Sequence, residues 1–250
     1  MTAMTKWFLF WTMMMAPLSW AAEREYFNGI DWKGGYVLLP DKKLERGEKF
    51  RVAVDVHGAG GLRNEKLGVE LMHILEPEPV LVIVPSFENG YQAGDGRFAK
   101  QLIGHYQWVA ERHPVHDKMF VHGHSGGAQF AHRFAFAHPE QVSGVSAHSA
   151  GSWAGRNGYG TINLQAKQIP FLISCGENDT QKSMPDSLMT RIEWYRSFSA
   201  DLAKKGFVFF GTTWPGKGHA VPASLYATQL KECFLLGTKG VKPESKGWRR

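Results

Sequence analysis

The sequence predicts a single α/β domain built on a mostly parallel central sheet with helices on both faces. Apolar runs of strand length alternate with segments of helical spacing along most of the chain. The run Val80 to Val84 (VLVIV) is continuously apolar, as expected of a parallel strand buried on both faces. No repeat, low-complexity segment or Pro/Gly-rich linker divides residues 22–238, so one domain is expected there.

In chain order, Gly35 to Leu39 and the alternating, Val-rich Phe50 to Val56 (FRVAVDV) are expected strands, followed by Val80 to Val84. Residues 97–112 show helical spacing through Phe98, Leu102, Tyr106 and Val109. Met119 to His122 is a short strand, and Ala128 to Ala137 (AQFAHRFAFA) a helix stopped by Pro139. Val142 to Ala147 and Pro170 to Ser174 are further strands. The helix expected over 187–205 aligns Leu188, Ile192, Tyr195, Phe198 and Leu202 on one stripe, with Asp186 or Ser187 as cap and Gly206 as stop. Phe207 to Phe210 is the last strand and Ser224 to Leu236 the last helix.

Composition narrows the class. Hydrophobic residues make up 43% and charged residues 21% of the 250, which excludes disordered, collagen-like and coiled-coil chains. The net charge of +6 lies mainly at the ends: residues 22–238 carry 23 Lys and Arg against 22 Asp and Glu, while residues 239–250 read as a basic tail. Binding to nucleic acid requires basic residues gathered on the fold itself, and no such gathering is visible. Residues 1–21 read as a secretory signal peptide: Lys6, the apolar stretch Trp7 to Leu18, then Ser19-Trp20-Ala21 with small residues where a signal peptidase cuts. That stretch is shorter than the ~20 residues of a spanning helix, so a soluble secreted or periplasmic product is expected. The two cysteines, Cys175 and Cys233, either pair or remain buried thiols.

Chemistry concentrates at strand ends. Gly123-His124-Ser125-Gly126-Gly127 joins a strand to a helix, a sharp turn that lifts the Ser125 hydroxyl above the sheet and leaves the Gly126 amide at a helix N-terminus. Ser149, in Ala147-His148-Ser149-Ala150-Gly151, follows another strand but runs into a loop with no helical period, so Ser125 is preferred as nucleophile. The glycine-rich His57-Gly58-Ala59-Gly60-Gly61 turn follows FRVAVDV, and the Ala59 amide is the expected partner of Gly126 in stabilising an oxyanion. His57 itself reads as a structural hydrogen-bonding residue. A serine needs a base: among eleven histidines His219 is best placed, on a loop between the last strand and the last helix. His105, His113, His132 and His138 sit within or beside helices and read as surface or packing residues. The base needs an acid, for which Asp179 on the loop after PFLIS is preferred over Glu177 and Asp186. A metal site on His122-x-His124 lacks any evident third ligand. Only about twenty residues separate Ala147 from Pro170, which leaves no room for a large lid. Trp153, Tyr159 and Trp214 are candidate pocket walls, with packing at the core rim as the alternative, and Arg156 is a weaker candidate for an acidic group.

With HGAGG at 57–61, GHSGG at 123–127, the Gly176-to-Asp179 spacing and Gly218-His219, the chain resembles the α/β-hydrolase superfamily over nearly all of residues 22–250. Within it, the chain looks most like the small secreted esterases grouped with polyhydroxybutyrate depolymerases and feruloyl esterases, although Ala59 stands where many depolymerase-like members carry Cys. The resemblance implies a serine esterase without metal or organic cofactor, acting on a small or oligomeric ester. A peptidase or other acyl transferase of the same fold, or an inactive binding protein, are the alternatives.

Overall fold

The computed structural model describes residues 22–28, 34–60, 66–88, 90–155, 160–185 and 187–249. The expected signal segment 1–21, and with it Gly61, Arg156, Tyr159 and Asp186, lie outside the described residues.

Among the described residues, nine strands form one sheet in the order β1-β2-β4-β3-β5-β6-β7-β8-β9. They are β1 (Glu23–Tyr26), β2 (Gly35–Leu39), β3 (Phe50–Val56), β4 (Val80–Pro85), β5 (Val115–His124), β6 (Val142–His148), β7 (Phe171–Gly176), β8 (Phe209–Trp214) and β9 (Trp248–Arg249). The block from β4 to β8 is parallel, while β1, β2 and β9 pair antiparallel at its edges. Five α-helices among the described residues cover it: α1 (Val69–Leu75), α2 (Gly96–Ala110), α3 (Gly126–Ala137), α4 (Arg191–Lys205) and α5 (Ala227–Lys239).

Period-two alternation decides what each strand buries where. Val52, Val54 and Val56 of β3, with Leu81 and Ile83 of β4, pack under α2 and α3 against Phe98, Leu102, Phe130 and Phe134. Ala53, Val80, Val82 and Val84 point the other way, onto Leu71, Leu75, Leu230 and Phe234 of α1 and α5. Each fully buried Phe stabilises the fold by roughly 1.5–3 kcal/mol relative to exposure. The expected covering of both faces is thus realised.

Several expectations are corrected. The helix placed at 187–205 starts at Arg191, because Thr190 and Glu193 form a reciprocal capping box. Leu188 is left exposed, while Ser187 bonds the Met189 carbonyl and the Trp194 indole. Residues 240–249, part of the basic stretch 239–250, are tied to the fold. Glu232 holds the Glu244 and Ser245 amides and the Trp248 indole, and Trp248–Arg249 extends the sheet. Cys175 and Cys233 are both free thiols. They lie in the cores on opposite faces of the sheet, and burial pushes the Cys175 thiol up to about 12. Among the described residues no helix is long and apolar enough to cross a membrane.

The interior holds an unusual load of histidine. His132 donates from Nδ1 to the Ala128 carbonyl and accepts the Ala154 amide at Nε2. His148 spans the hydroxyls of Ser146 and Ser174, at 2.7 Å each. Burial lowers the pKa of His57, His122, His132 and His148, and that of His105 to about 4. Above pH 6.5 these rings are neutral in both folded and unfolded chains and impose no penalty. Below it the unfolded chain takes up protons that the folded one refuses, so stability falls as pH drops from 6.5 toward about 4. Each ring contributes up to about 1.4 kcal/mol per pH unit in that window. The urea midpoint at pH 5 is therefore expected well below that at pH 7.5, and equal midpoints would contradict the burial of these rings.

Candidate active site

The site is assembled where β3, β5, β7 and β8 end, at the carboxyl edge at which parallel sheets bind ligands. Ser125 leaves β5 at φ 55°, ψ −115° and serves as the N-cap of α3. A non-glycine residue at positive φ is a strained turn position, and this turn aims the hydroxyl off the sheet edge. His219 follows β8. Its Nε2 lies 2.9 Å from Ser125 Oγ and its Nδ1 2.8 Å from Asp179 Oδ2. A carboxylate only accepts, so Nδ1 carries the proton and Nε2 is left to accept from the serine hydroxyl.

Asp179, 2% exposed, follows β7 and is held on both sides. Arg191 Nη1 donates to its Oδ1 at 3.3 Å, and its backbone carbonyl accepts the Ile192 amide. Arg191 opens α4 directly after the capping Thr190, so the helix start that sequence reasoning misplaced is also what brings the guanidinium to the acid. The competing residues lie elsewhere. Glu177 accepts from Thr213 Oγ1 at 2.9 Å. Ser149 shares the positive φ, at 50°, but is fully buried, and its chain continues into a loop.

The turn after β3 lies directly against the elbow. A Cβ placed on Gly126 would stand 3.1 Å from the Ala59 amide nitrogen and 2.6 Å from Tyr91 Oη, so the turn that carries Ala59 packs against Gly126. His57 braces this turn as a neutral ring, donating from Nδ1 to the Gly58 carbonyl (2.8 Å) and accepting the Phe87 amide at Nε2 (3.1 Å). Tyr91 Oη donates to the His57 carbonyl at 2.6 Å. Nothing in the sequence distinguishes Tyr91 from other aromatics, because its role depends on a contact 34 residues away.

The pocket candidates are redistributed. Trp153 is fully buried, stacked on Phe198 at 4.8 Å and against His132, so it is a core residue and not a pocket wall. Trp214 is partly buried against the core beneath α1 and α5, and its carbonyl accepts the Glu177 and Lys217 amides. His122 bonds Ser146 and His124 bonds the His219 carbonyl, so the pair does not converge as metal ligands. Among the described residues no cluster of three His, Cys, Asp or Glu is arranged to hold a metal ion. Between β6 and β7 the described residues contain only a 3-10 turn at Leu164–Gln168, with no inserted helix over the serine.

No family model and no curated protein sequence matches the chain. Solved structures do. Poly(aspartic acid) hydrolase-1 from Sphingomonas sp. KT-1 superposes with a TM-score of 0.58 at 18% identity, over 74% of this chain and 87% of that one. A poly(3-hydroxybutyrate) depolymerase from Bordetella parapertussis gives 0.57 at 18% identity, over 84% and 86%. A ferulic acid esterase from the anaerobic fungus Anaeromyces mucronatus gives 0.57 at 19% identity, over 78% and 81%. Identities this low speak for architecture alone, and the architecture that this chain shares with them is the α/β-hydrolase fold.

Proposed function

We propose that the protein is an exported serine esterase that cleaves carboxylic esters through an acyl-enzyme on Ser125. The observation that carries this reading is the unbroken run of hydrogen bonds from Ser125 Oγ through His219 to Asp179, with the turn that carries Ala59 packed against Gly126 at the start of α3. In it, His219 takes the serine proton as Oγ attacks the ester carbonyl, and Asp179 stabilises the imidazolium. The Ala59 and Gly126 amides receive the oxyanion, and water then repeats the cycle on the acyl-enzyme. Export rests on Lys6, the apolar Trp7 to Leu18 and Ser19-Trp20-Ala21.

The test is turnover of p-nitrophenyl acetate, butyrate and octanoate beside matched p-nitroanilides, with a fluorophosphonate label located by peptide mapping. Ester turnover with the label on Ser125 supports the reading. Faster anilide turnover makes the protein a peptidase, and failure of both turnover and labelling makes it a binding protein.

Arg191 supplies a further test. Arg191→Met removes the donor on Asp179 Oδ1 and frees the carboxylate to rotate away from His219. A charge-assisted bond of this kind contributes about 1.5–3 kcal/mol, so kcat is expected to fall about tenfold or more with KM little changed. Arg191→Lys, which keeps the charge without the planar fork, should recover part of the loss. Unchanged kcat in the methionine variant would remove Arg191 from the machinery.

A further inference from the structure

Within G-x-S-x-G the residue before the serine is free to vary so far as the turn is concerned. Here it is His124, the last residue of β5, and its ring turns toward the base loop. Nε2 lies 2.8 Å from the backbone carbonyl of His219, and the two rings stand 4.9 Å apart at 56°. A carbonyl only accepts, so Nε2 carries the proton in a neutral ring. Burial, the nearest cause, lowers the His124 pKa and favours that state.

The base sits on a connection, residues 215–222, between β8 and the 3-10 turn Ala223–Leu225 that precedes α5. Its first half is seated on the acid loop: Lys217 accepts the Asn178 amide at 2.8 Å, and the Lys217 and Gly218 carbonyls press so closely on Gly176 that a Cβ there would come within 2.3 Å of both. At His219 itself, among the described residues, the main chain is fastened by His124.

We infer that His124 is a positioning residue for the base, tying the main chain of His219 to the strand that carries Ser125. The inference uses the proposed role of His219, but the tie is a geometric one. Asp179 orients the imidazole about its own axis through Nδ1. It does not set the height of the loop above the serine. The bond from residue 124 does, because residue 124 is covalently next to residue 125. Nucleophile and base thus share one frame, and the 2.9 Å separation of Oγ and Nε2 survives movement of the exposed loop. Displacements of the order of 1 Å at such a pair cost about 10²-fold in rate.

The experiment compares His124→Gln, whose amide N–H reaches the position of Nε2, with His124→Phe, which keeps a flat ring and loses the donor. His124→Met serves in place of the phenylalanine variant if that one does not fold. The donor-less variant is expected to lose about 10- to 100-fold in kcat and in the rate of fluorophosphonate labelling, with KM within about twofold. Amide hydrogen exchange over residues 217–221 should accelerate in it. The glutamine variant should stay within about fivefold of the parent and keep its slow exchange. Parental kcat in the folded phenylalanine variant, an equal loss in both variants, or unchanged exchange over 217–221 would each overturn the inference. Should the parent turn over no ester, the esterase reading fails by itself, and the exchange comparison still decides the role of His124.

Discussion

Ser125→Ala is expected to lower kcat/KM for p-nitrophenyl butyrate by about 10⁴- to 10⁶-fold, leaving only what the oxyanion donors and binding supply. The melting temperature should barely move. Alanine keeps the same strained φ of 55°, and the lost bond to His219 is a partly solvated one, worth about 1 kcal/mol in a fold of this size. His219→Ala should cost a similar factor, and the double variant no more than either single one, because nucleophile and base act as a unit. Additive losses would mean that the 2.9 Å contact is incidental. Activity of Ser125→Ala within tenfold of the parent would displace the nucleophile from the elbow and direct attention to Ser149, which also stands at positive φ.

Why these residues were legible and others were not follows from what each signal depends on. Strands β2 and β3 form over the residues expected, since alternating or continuous apolar runs carry their burial in their own composition. Ser125, Asp179 and His219 could be named because each occupies a loop directly after a strand, and strand order brings such loops to one edge. Strand β1 (EREY) is a polar, half-exposed edge strand without an apolar period, and α1, of seven residues, is too short to show one. Arg191, Tyr91 and His124 act through partners 12, 34 and 95 residues away, contacts that no local pattern encodes. Trp153 marks the opposite error. A loop aromatic at the catalytic edge has two directions open to it, and this one turns inward, onto Phe198 of α4. Loop position tells where a backbone passes, not which way a ring points.

Gly127→Ala is expected to cost 4 kcal/mol or more, which lowers the melting temperature by about 10 °C or leaves the protein insoluble. A Cβ at this position would stand 2.0 Å from the Val56 carbonyl oxygen and 2.9 Å from that of His57. Both are main-chain atoms at the end of β3, a strand locked between β4 and β5, so no side chain can swing aside. The methyl fits only if α3 retreats from the sheet, and α3 is buried along nearly its whole length. Gly104→Ala is the control of opposite sign. Gly104 lies within α2 with nothing within 4 Å of its added Cβ, and alanine there should stabilise the helix by about 0.5–1 kcal/mol. The contrast separates a contact effect from helix propensity. It also bears on chemistry, because the approach of α3 to the end of β3 sets Gly126 against the turn that carries Ala59. A Gly127→Ala protein melting within about 3 °C of the parent would show that the helix is not pressed on that strand. The close placement of Gly126 against the Ala59 turn would then lose its structural basis.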